Sequence, residues 1–556
     1  MSSSISQKIR NTRYRVQNNA LSLSIRTAEH TYHLQITDVS IRGIGACFDP
    51  SDVSTSWVFT PGDILPQASV TAVRDGTEFQ LGRILPRFVD ASSQRIGFFV
   101  IDDPLPVDGQ LSQYLAHGSN TILNGNAVEL DPTQFDLKSF AAIDEGSRDI
   151  FTRCAHFQAF YAQWKRSPLY LYYTVRRPSK GTRVELALKR RGQRQDFIQM
   201  CSNDYLGMAA HPKVIEAGKR ALDTYGVGPT GSPSVSGLTE AHEALADYLA
   251  RQFRKEKVLL FCSGYSANVG SFPSLTQPSD LLLVDFFCHA SIQDGLRLSP
   301  ATHRFFKHND MAHLEKLLRE QRDKFSGCMI ITEGVFSMDG DTCPLDEIVA
   351  LAQRYDARVF VDEAHSYGLL GPHGGGIADE YYLTESVDLF MGTFSKICGG
   401  HGGFIAGDAA VLDWIECYGT SYTFSAALPP ASAAAALAAI KLVFEEEPER
   451  LQRLRANIQH FVRGLQSLGY LHLDESHQSA IVPVIIGDEQ VLSCLTAHLV
   501  EHGVMVVPMV YPAVARNRCR FRFTISSEHT ISDLDYTLQV LSGGMRKANY
   551  RFSLPS

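Results

Sequence analysis

The sequence predicts a chain of two unlike parts, a small all-β barrel followed by a much longer α/β domain that ends in a smaller α+β lobe. Three observations carry this. The first hundred residues hold only short alternating apolar runs separated by turns, with no long amphipathic helix. From Val258 onward, short apolar runs alternate with helical stretches, which is the pattern of a largely parallel sheet covered on both faces. The polar residues that stand out there fall at the carboxyl ends of those runs, where ligands bind in such sheets.

Composition agrees with a folded, multidomain chain. Its 556 residues are 44% hydrophobic and 20% charged, with a net charge of -8. A chain of that length buries an ample core, and the balance excludes a disordered protein or a general nucleic-acid binder. The stretch Met1 to Val16 is serine-rich and basic but has no apolar centre, so no signal peptide is expected. No membrane span is expected either: the nearest stretch, Ala426 to Ile440, contains Pro429-Pro430 and runs into Lys441 and Glu445-Glu446-Glu447, which reads as a core helix. Eleven cysteines, without any Cys-x-x-Cys pair, fit the reduced thiols of a cytoplasm and argue against a disulfide framework or a metal site.

Taken in order, residues 1–104 form the barrel, with strands expected at Leu21 to Thr27, Tyr32 to Ile36, Ile44 to Phe48, Ser69 to Val73, Phe79 to Leu85 and Ile96 to Ile101. Residues 105–147 are polar and scattered with glycine and asparagine, hence a linker. An arm over 148–210 opens with a helical pattern from Arg148 to Lys165 and continues in β-rich sequence to Met200. The large α/β domain covers 211–440, with strands at Val258 to Cys262, Leu281 to Asp285, Cys328 to Thr332, Arg358 to Val361, Leu389 to Gly392 and Gly403 to Ala406; the small domain is 441–556. Gly226-Val227-Gly228-Pro229-Thr230-Gly231 matches a dinucleotide fingerprint, but it follows a helical stretch instead of a strand and so reads as a plain turn-rich loop.

The organising stretch is Gly392-Thr393-Phe394-Ser395-Lys396, preceded by Leu389-Phe390-Met391 and followed by Gly399, Gly400, Gly402 and Gly403. A lysine desolvated at the end of a buried strand loses its charge and becomes a nucleophile, as a Schiff base with a carbonyl cofactor such as pyridoxal phosphate requires. The alternative reading is a solvated lysine at a strand end. Asp362 and His365, at the end of Arg358-Val359-Phe360-Val361, supply the complementary acid: a pyridoxal ring must keep its nitrogen protonated, and a carboxylate favours that proton. Alone, Asp362 better suits an ordinary strand-end carboxylate capping the next turn. Ser263-Gly264-Tyr265, Asp285 to His289, Glu333, Asp362 to His365 and Thr393 to Lys396 end five strands, and their convergence favours one site.

These motifs, with Ser202-Asn203-Asp204-Tyr205-Leu206-Gly207, His289-Ala290-Ser291-Ile292, Glu333 through Gly340 and Leu428-Pro429-Pro430, resemble the α-oxoamine synthases in both content and order. The resemblance covers the segment from about Arg148 to the C-terminus. It implies a fold-type-I pyridoxal phosphate enzyme, a homodimer with sites at the subunit interface, that condenses an amino acid with an acyl-CoA or another acyl thioester and releases carbon dioxide. It further implies that Lys396 carries the cofactor and moves the α-proton, that Asp362 pairs with the pyridine nitrogen and His289 stacks on the ring, and that Ser337 and His365 lie near the phenolic oxygen. Gly264, Tyr265, Thr393 and Ser395, with Ser425 from a neighbouring subunit, hold the phosphate. Arg522 grips the substrate carboxylate, with Asn203 also at the substrate, while Arg520 is expected on the opposite face. Where the family reads G-S-R, this chain has Gly231-Ser232-Pro233, and Pro233 can donate nothing. Other pyridoxal phosphate chemistry, such as transamination or simple decarboxylation, is the runner-up, and a non-catalytic signalling scaffold is a third reading.

The barrel resembles the PilZ domain, through Arg10, Arg13 and Arg15 and through Asp38-Val39-Ser40-Ile41-Arg42-Gly43, placed on a turn between strands. That resemblance implies cyclic di-GMP as ligand, held by the arginines together with Asp38, Ser40 and Gly43; the alternative is a barrel of the same kind that serves only docking or oligomerisation. The arginine spacing departs from the family's R-x-x-x-R, because Asn11 stands where Arg15 would need its partner.

Overall fold

The computed structural model describes the backbone of residues 14–15, 21–26, 31–40, 43–47, 65–72, 78–90 and 95–100. It also describes residues 151–552 apart from 152–153, 155–156, 159–160, 163, 178–180, 188–193, 475 and 512. Arg10, Arg13, Ile41, Arg42 and the expected linker lie outside the described residues. The chain divides into two compact units, Met1–Ser167 and Pro168–Ser556.

The first unit contains seven antiparallel strands, β1 (Tyr14–Arg15), β2 (Leu21–Arg26), β3 (Thr31–Ser40), β4 (Gly43–Cys47), β5 (Leu65–Ala72), β6 (Glu78–Asp90) and β7 (Arg95–Val100). They pair in the order β1-β3-β2-β5-β6-β7-β4, and β4 pairs with β3 as well, so the ladder runs round in a ring. Asp38 and Ser40 lie within β3 and Gly43 begins β4, so only residues 41 and 42 separate the two strands.

The second unit is built on a seven-stranded sheet of β11 (Lys257–Phe261), β12 (Asp280–Asp285), β13 (Thr302–Phe306), β14 (Gly327–Glu333), β15 (Arg358–Asp362), β16 (Leu389–Thr393) and β17 (Gly403–Gly407), preceded by β8 (Val175–Arg176), β9 (Arg183–Ala187) and β10 (Arg194–Gln199). Its order is β11-β17-β16-β15-β14-β12-β13, and only β17 runs antiparallel to its neighbours. The sequence explains the parallel core: Leu281 to Val284 and Val359 to Val361 are fully buried, as strands covered by helices on both faces must be. β13 was not among the expected strands; it is the edge strand, Thr-His-Arg-Phe-Phe, and is largely half-buried or exposed.

Helices α1 (Pro212–Tyr225), α2 (Glu240–Gln252), α3 (Gly264–Leu275), α4 (Ala290–Leu298), α5 (Met311–Gln321), α6 (Leu345–Arg354), α7 (Ala409–Tyr418) and α8 (Pro430–Lys441) belong to the same unit. α8 starts on Pro430, where the missing N–H is harmless, and buries Ala433, Ala436 and Ala439. These small side chains let α1 come close: a Cβ at Gly218 would sit 3.6 Å from the Ala431 carbonyl. Among the described residues no helix is long and apolar enough to cross a membrane. The glycine-rich loop at Gly226 follows α1, with Gly226 at φ +79°, so no strand leads into it.

Toward the C-terminus, α9 (Glu449–Ser467), β18 (Ile481–Ile485), α10 (Glu489–Glu501), β19 (Val504–Met505), β20 (Pro508–Met509), β21 (Arg520–Thr524) and α11 (Ile531–Lys547) build a smaller lobe around the sheet β18-β21-β20. α9 places Leu454, Ile458, Phe461, Val462 and Leu465 in its core, an i, i+3, i+4 stripe. β19 pairs in parallel with β10, which ties the arm before the large sheet to this lobe.

Candidate active site

The five expected strand ends come together at a cavity of about 280 Å³ beyond the carboxyl edge of the large sheet. Lys396 follows β16, whose five residues are all buried. Its surface faces the cavity, and the surrounding protein strips water from the ammonium. Burial lowers its pKa from 10.5 to about 8, against the raising pull of Asp362 and Glu333 and with help from Arg522.

Asp362 ends β15 and is 4% exposed. Its Oδ2 accepts from Asn268 Nδ2 at 3.0 Å and its Oδ1 from the Ala364 N–H at 2.9 Å. Asn268, from α3, also donates to Ser291 Oγ at 2.9 Å, while its own Oδ1 is buried and without a partner. Among the described residues, the carboxylate is therefore held in position by neutral donors, with no lysine or arginine hydrogen-bonded to it.

His289 is the N-cap of α4, its Nδ1 accepting from the Ser291 N–H at 3.2 Å and lying 2.8 Å from Ser291 Oγ. Its backbone N–H donates to Glu333 Oε1, so the end of β14 fixes the loop that carries the imidazole. Glu333 is buried, and desolvation together with the Asp362 charge pushes its carboxyl well above the usual range. The Tyr265 and His289 rings meet edge to face with centroids 6.4 Å apart.

His365 is buried, and its Nδ1 lies 2.7 Å from the Tyr205 hydroxyl. Burial, then the charges of Lys396, Arg522 and His289, push this imidazole well below its ordinary value, so it is neutral at physiological pH. Tyr205 is also 3.3 Å from Asn203 Oδ1, which accepts from Arg522 Nη1 at 3.3 Å. A chain of contacts thus runs from the arginine to the imidazole. Arg522 also donates to the Ser337 carbonyl and to Thr524 Oγ1.

A third corner of the cavity is built for an anion. α3 begins at Gly264 with Ser263 and Ser266 in a reciprocal capping box, leaving its first N–H groups at the cavity. Thr393 Oγ1 and Ser395 Oγ stand 2.9 Å apart beside it. Gly264 and Gly403 make this approach possible, since a Cβ on Gly403 would lie 2.5 Å from the Gly264 nitrogen. A buried amine, a carboxylate held by neutral donors and an anion-binding helix end on one cavity fit pyridoxal phosphate.

The model for the family of class I and II aminotransferases matches residues 195–541. The chain belongs to that family. It is 41% identical over 343 residues to 8-amino-7-oxononanoate synthase of Treponema denticola, covering 62% of this chain and 86% of that one. It is 36% identical over 406 residues to the 4-hydroxy-2,2'-bipyrrole-5-methanol synthase PigH of a Serratia species, covering 73% of this chain and 61% of that one. Among solved structures, a serine palmitoyltransferase of Sphingomonas wittichii superposes with a TM-score of 0.66 at 32% identity, over 72% of this chain and 99% of that one. A structure of SPT with PLP superposes with a TM-score of 0.67 at 30% identity, over 72% and 100% of the two chains. The chain is accordingly a pyridoxal-phosphate-dependent α-oxoamine synthase, an acyltransferase whose class joins an amino acid to an acyl thioester with loss of carbon dioxide.

In this synthase one expectation is corrected. Arg520 does not face away from Arg522: it donates to Asp339 Oδ1 and the Met338 carbonyl, one residue along from the Ser337 carbonyl that Arg522 engages. Residues i and i+2 of a strand share a face, so two arginines spaced in this way on β21 must point the same way. Their tasks differ, because Arg520 is ion-paired to Asp339 whereas Arg522 is hydrogen-bonded, among the described residues, to neutral groups.

Ser337 enters through its carbonyl, and its side chain does not line the cavity. Ser425 is half-buried, with its Oγ 3.8 Å from Cys262 Sγ just before α3. Asn268, Tyr205, Glu333 and His401 also belong to the site or its supports. Asn268 and Tyr205 were visible only as members of motifs, and Glu333 as a polar strand end; their contacts span up to 160 residues of sequence. In the first unit, Arg15 and Asp38 are register partners across β1 and β3, and Ser40 and Gly43 across β3 and β4.

Proposed function

We propose that this synthase uses Lys396 as the cofactor-bearing residue and as the base that moves the substrate's α-proton. The observation that carries the reading is the shared cavity of Lys396 and Asp362, with the amine lowered to about 8. Pyridoxal phosphate, when bound, supplies the electron sink that stabilises negative charge at the amino acid's α-carbon. Asp362 would hold the pyridine nitrogen protonated, and Asn268 keeps that carboxylate oriented. His289 would cover one ring face. His365, kept neutral and oriented by Tyr205, would lie on the phenolic side, while Ser337 would act through the carbonyl that accepts from Arg522. Gly264, Tyr265, Thr393, Ser395 and Ser425 would receive the phosphate. Arg522, steadied by Asn203 Oδ1, would grip the substrate carboxylate and orient the bond to it for decarboxylation.

α-Proton exchange tests this assignment without any acyl donor. In deuterium oxide the wild type exchanges the α-proton of its amino acid substrate, found from a panel by NMR, and Lys396→Ala does not. Exchange persisting in Lys396→Ala would refute the role of that residue.

The reading extends to assembly and control. Val227, Val235 and Phe424 are 82 to 85% exposed on loops of the large domain; such side chains suit a homodimer contact, which sedimentation tests. Within the second unit we assign residues 211–440 to cofactor binding and 441–556 to the small domain. We also place the protein in the cytoplasm, the compartment that suits eleven cysteines without any Cys-x-x-Cys pair. We read the N-terminal strands as a PilZ-like module for cyclic di-GMP, supported by the register that sets Arg15 opposite Asp38. Calorimetry with cyclic di-GMP on the wild type and on Arg10, Arg13 and Asp38 substitutions tests it, and equal heats in all of them would end that reading.

A further inference from the structure

One imidazole on the cavity has no task in the account above. His401 lies in the loop between Lys396 and β17, is exposed, lines the cavity, and hydrogen-bonds to none of the described residues. Its backbone position is nonetheless tightly set. The next residue's carbonyl, that of Gly402, accepts from Thr393 Oγ1 at 2.9 Å and from the Phe394 N–H at 3.0 Å. Gly402 has φ +117°, and a Cβ there would lie 2.8 Å from both Leu428 and Phe394, so only glycine lets the chain turn this way. Gly403 then packs on the first turn of α3. Residue 401 therefore stands next to the point where the hydroxyls of Thr393 and Ser395 meet the N–H groups of that helix.

Charge balance at the cavity points the same way. The other titratable groups lining it are Tyr265, His289, Glu333, Asp362, His365 and Lys396. Two of these are carboxyls, and the Tyr265 hydroxyl is engaged by Asp294. Burial holds His289 and His365 toward their neutral forms, and the nitrogen of Lys396 is committed to the ring. A phosphate monoester carries roughly -1.5 to -2 charge at neutral pH, against about half a positive charge from a helix end. Of the side chains at the rim, His401 is the one left to supply a charge-assisted donor.

We propose that His401 belongs to the phosphate-binding site, its ring N–H donating to the cofactor's phosphate beside Thr393, Ser395 and the start of α3. The proposal rests on the reading of Thr393 and Ser395 as the phosphate cup.

Apo-protein is titrated with pyridoxal phosphate and, separately, with pyridoxal, which has the same aldehyde but no phosphate. His401→Ala raises the Kd for pyridoxal phosphate by roughly tenfold to a hundredfold, as the loss of a hydrogen bond to a charged group does. Pyridoxal affinity stays within about twofold, and His401→Arg, which again presents an N–H donor there, recovers most of the loss. Ser395→Ala is measured in parallel. A changed ratio of the two affinities in Ser395→Ala with none in His401→Ala overturns the proposal while leaving the cup intact. An unchanged ratio in both variants overturns the cup reading as well. Equal weakening of both ligands by His401→Ala would mark a structural effect and also overturn it.

Discussion

The lowered pKa of Lys396 sets how fast the apo-protein takes up an aldehyde, because only the free amine attacks. With an ordinary lysine at 10.5, about one side chain in a thousand is free at pH 7.5; at about 8, roughly one in four is, a gain of about two hundredfold. The structure attributes the drop first to burial, opposed by Asp362 and Glu333. Removing a carboxylate should therefore lower the value further, and removing Arg522 should raise it. The assay is stopped-flow absorbance on mixing apo-protein with pyridoxal, which avoids titration of a phosphate. The rate should climb about tenfold per pH unit below about pH 8 and level off above it. In Asp362→Asn the levelling should begin at lower pH. A wild-type rate still rising tenfold per unit between about pH 9 and 10 would refute the reasoning.

Three further outcomes follow from the same geometry. A buried amine with a depressed folded-state pKa opposes folding below about 8, and the opposition fades as pH rises from there toward 10.5. Lys396→Met should therefore raise apo-protein stability at neutral pH by about 1–3 kcal/mol in a urea titration, the upper figure being the full shift. Burial would lower His308, but hydrogen bonds to Asp285 at 3.0 Å and Asp341 at 2.6 Å outweigh it and raise the imidazole to about 10. Its stabilising contribution is complete below about 6.5 and disappears as pH passes about 10, so His308→Ala should cost roughly 3 kcal/mol at pH 7, and less above pH 10. Arg522→Lys loses the planar fork and should raise the KM for the amino acid roughly tenfold or more with little change in that for the thioester. Arg520→Gln should instead lower stability, because Asp339 loses its buried partner.

The sequence exposed the parts of the fold whose physics is local. Strands buried on both faces betray themselves as unbroken apolar runs, and their polar ends, Asp362 and Thr393 among them, mark the edge of the sheet that lines the cavity. β13 escaped because an edge strand half in solvent carries no such run. Arg520 shares the face of Arg522, as the two-residue alternation of a strand requires. The supports of the site were hidden for a different reason. Nothing local to Tyr205 says that its hydroxyl meets His365, or to Glu333 that its carboxyl accepts the His289 N–H; tertiary folding creates both contacts. His401 sat within the glycine run without drawing notice, since its meaning depends on how Gly402 turns the chain.

The most direct test of the account is a balance sheet of one reaction. Carboxyl-labelled amino acids are incubated with the holoenzyme and a series of acyl-CoAs, and released carbon dioxide, free thiol and consumed amino acid are measured together. The account predicts that all three appear in equal amounts, only when both substrates are present, and not with Lys396→Ala. Amino acid consumed without thiol release, as in transamination or simple decarboxylation, would contradict it.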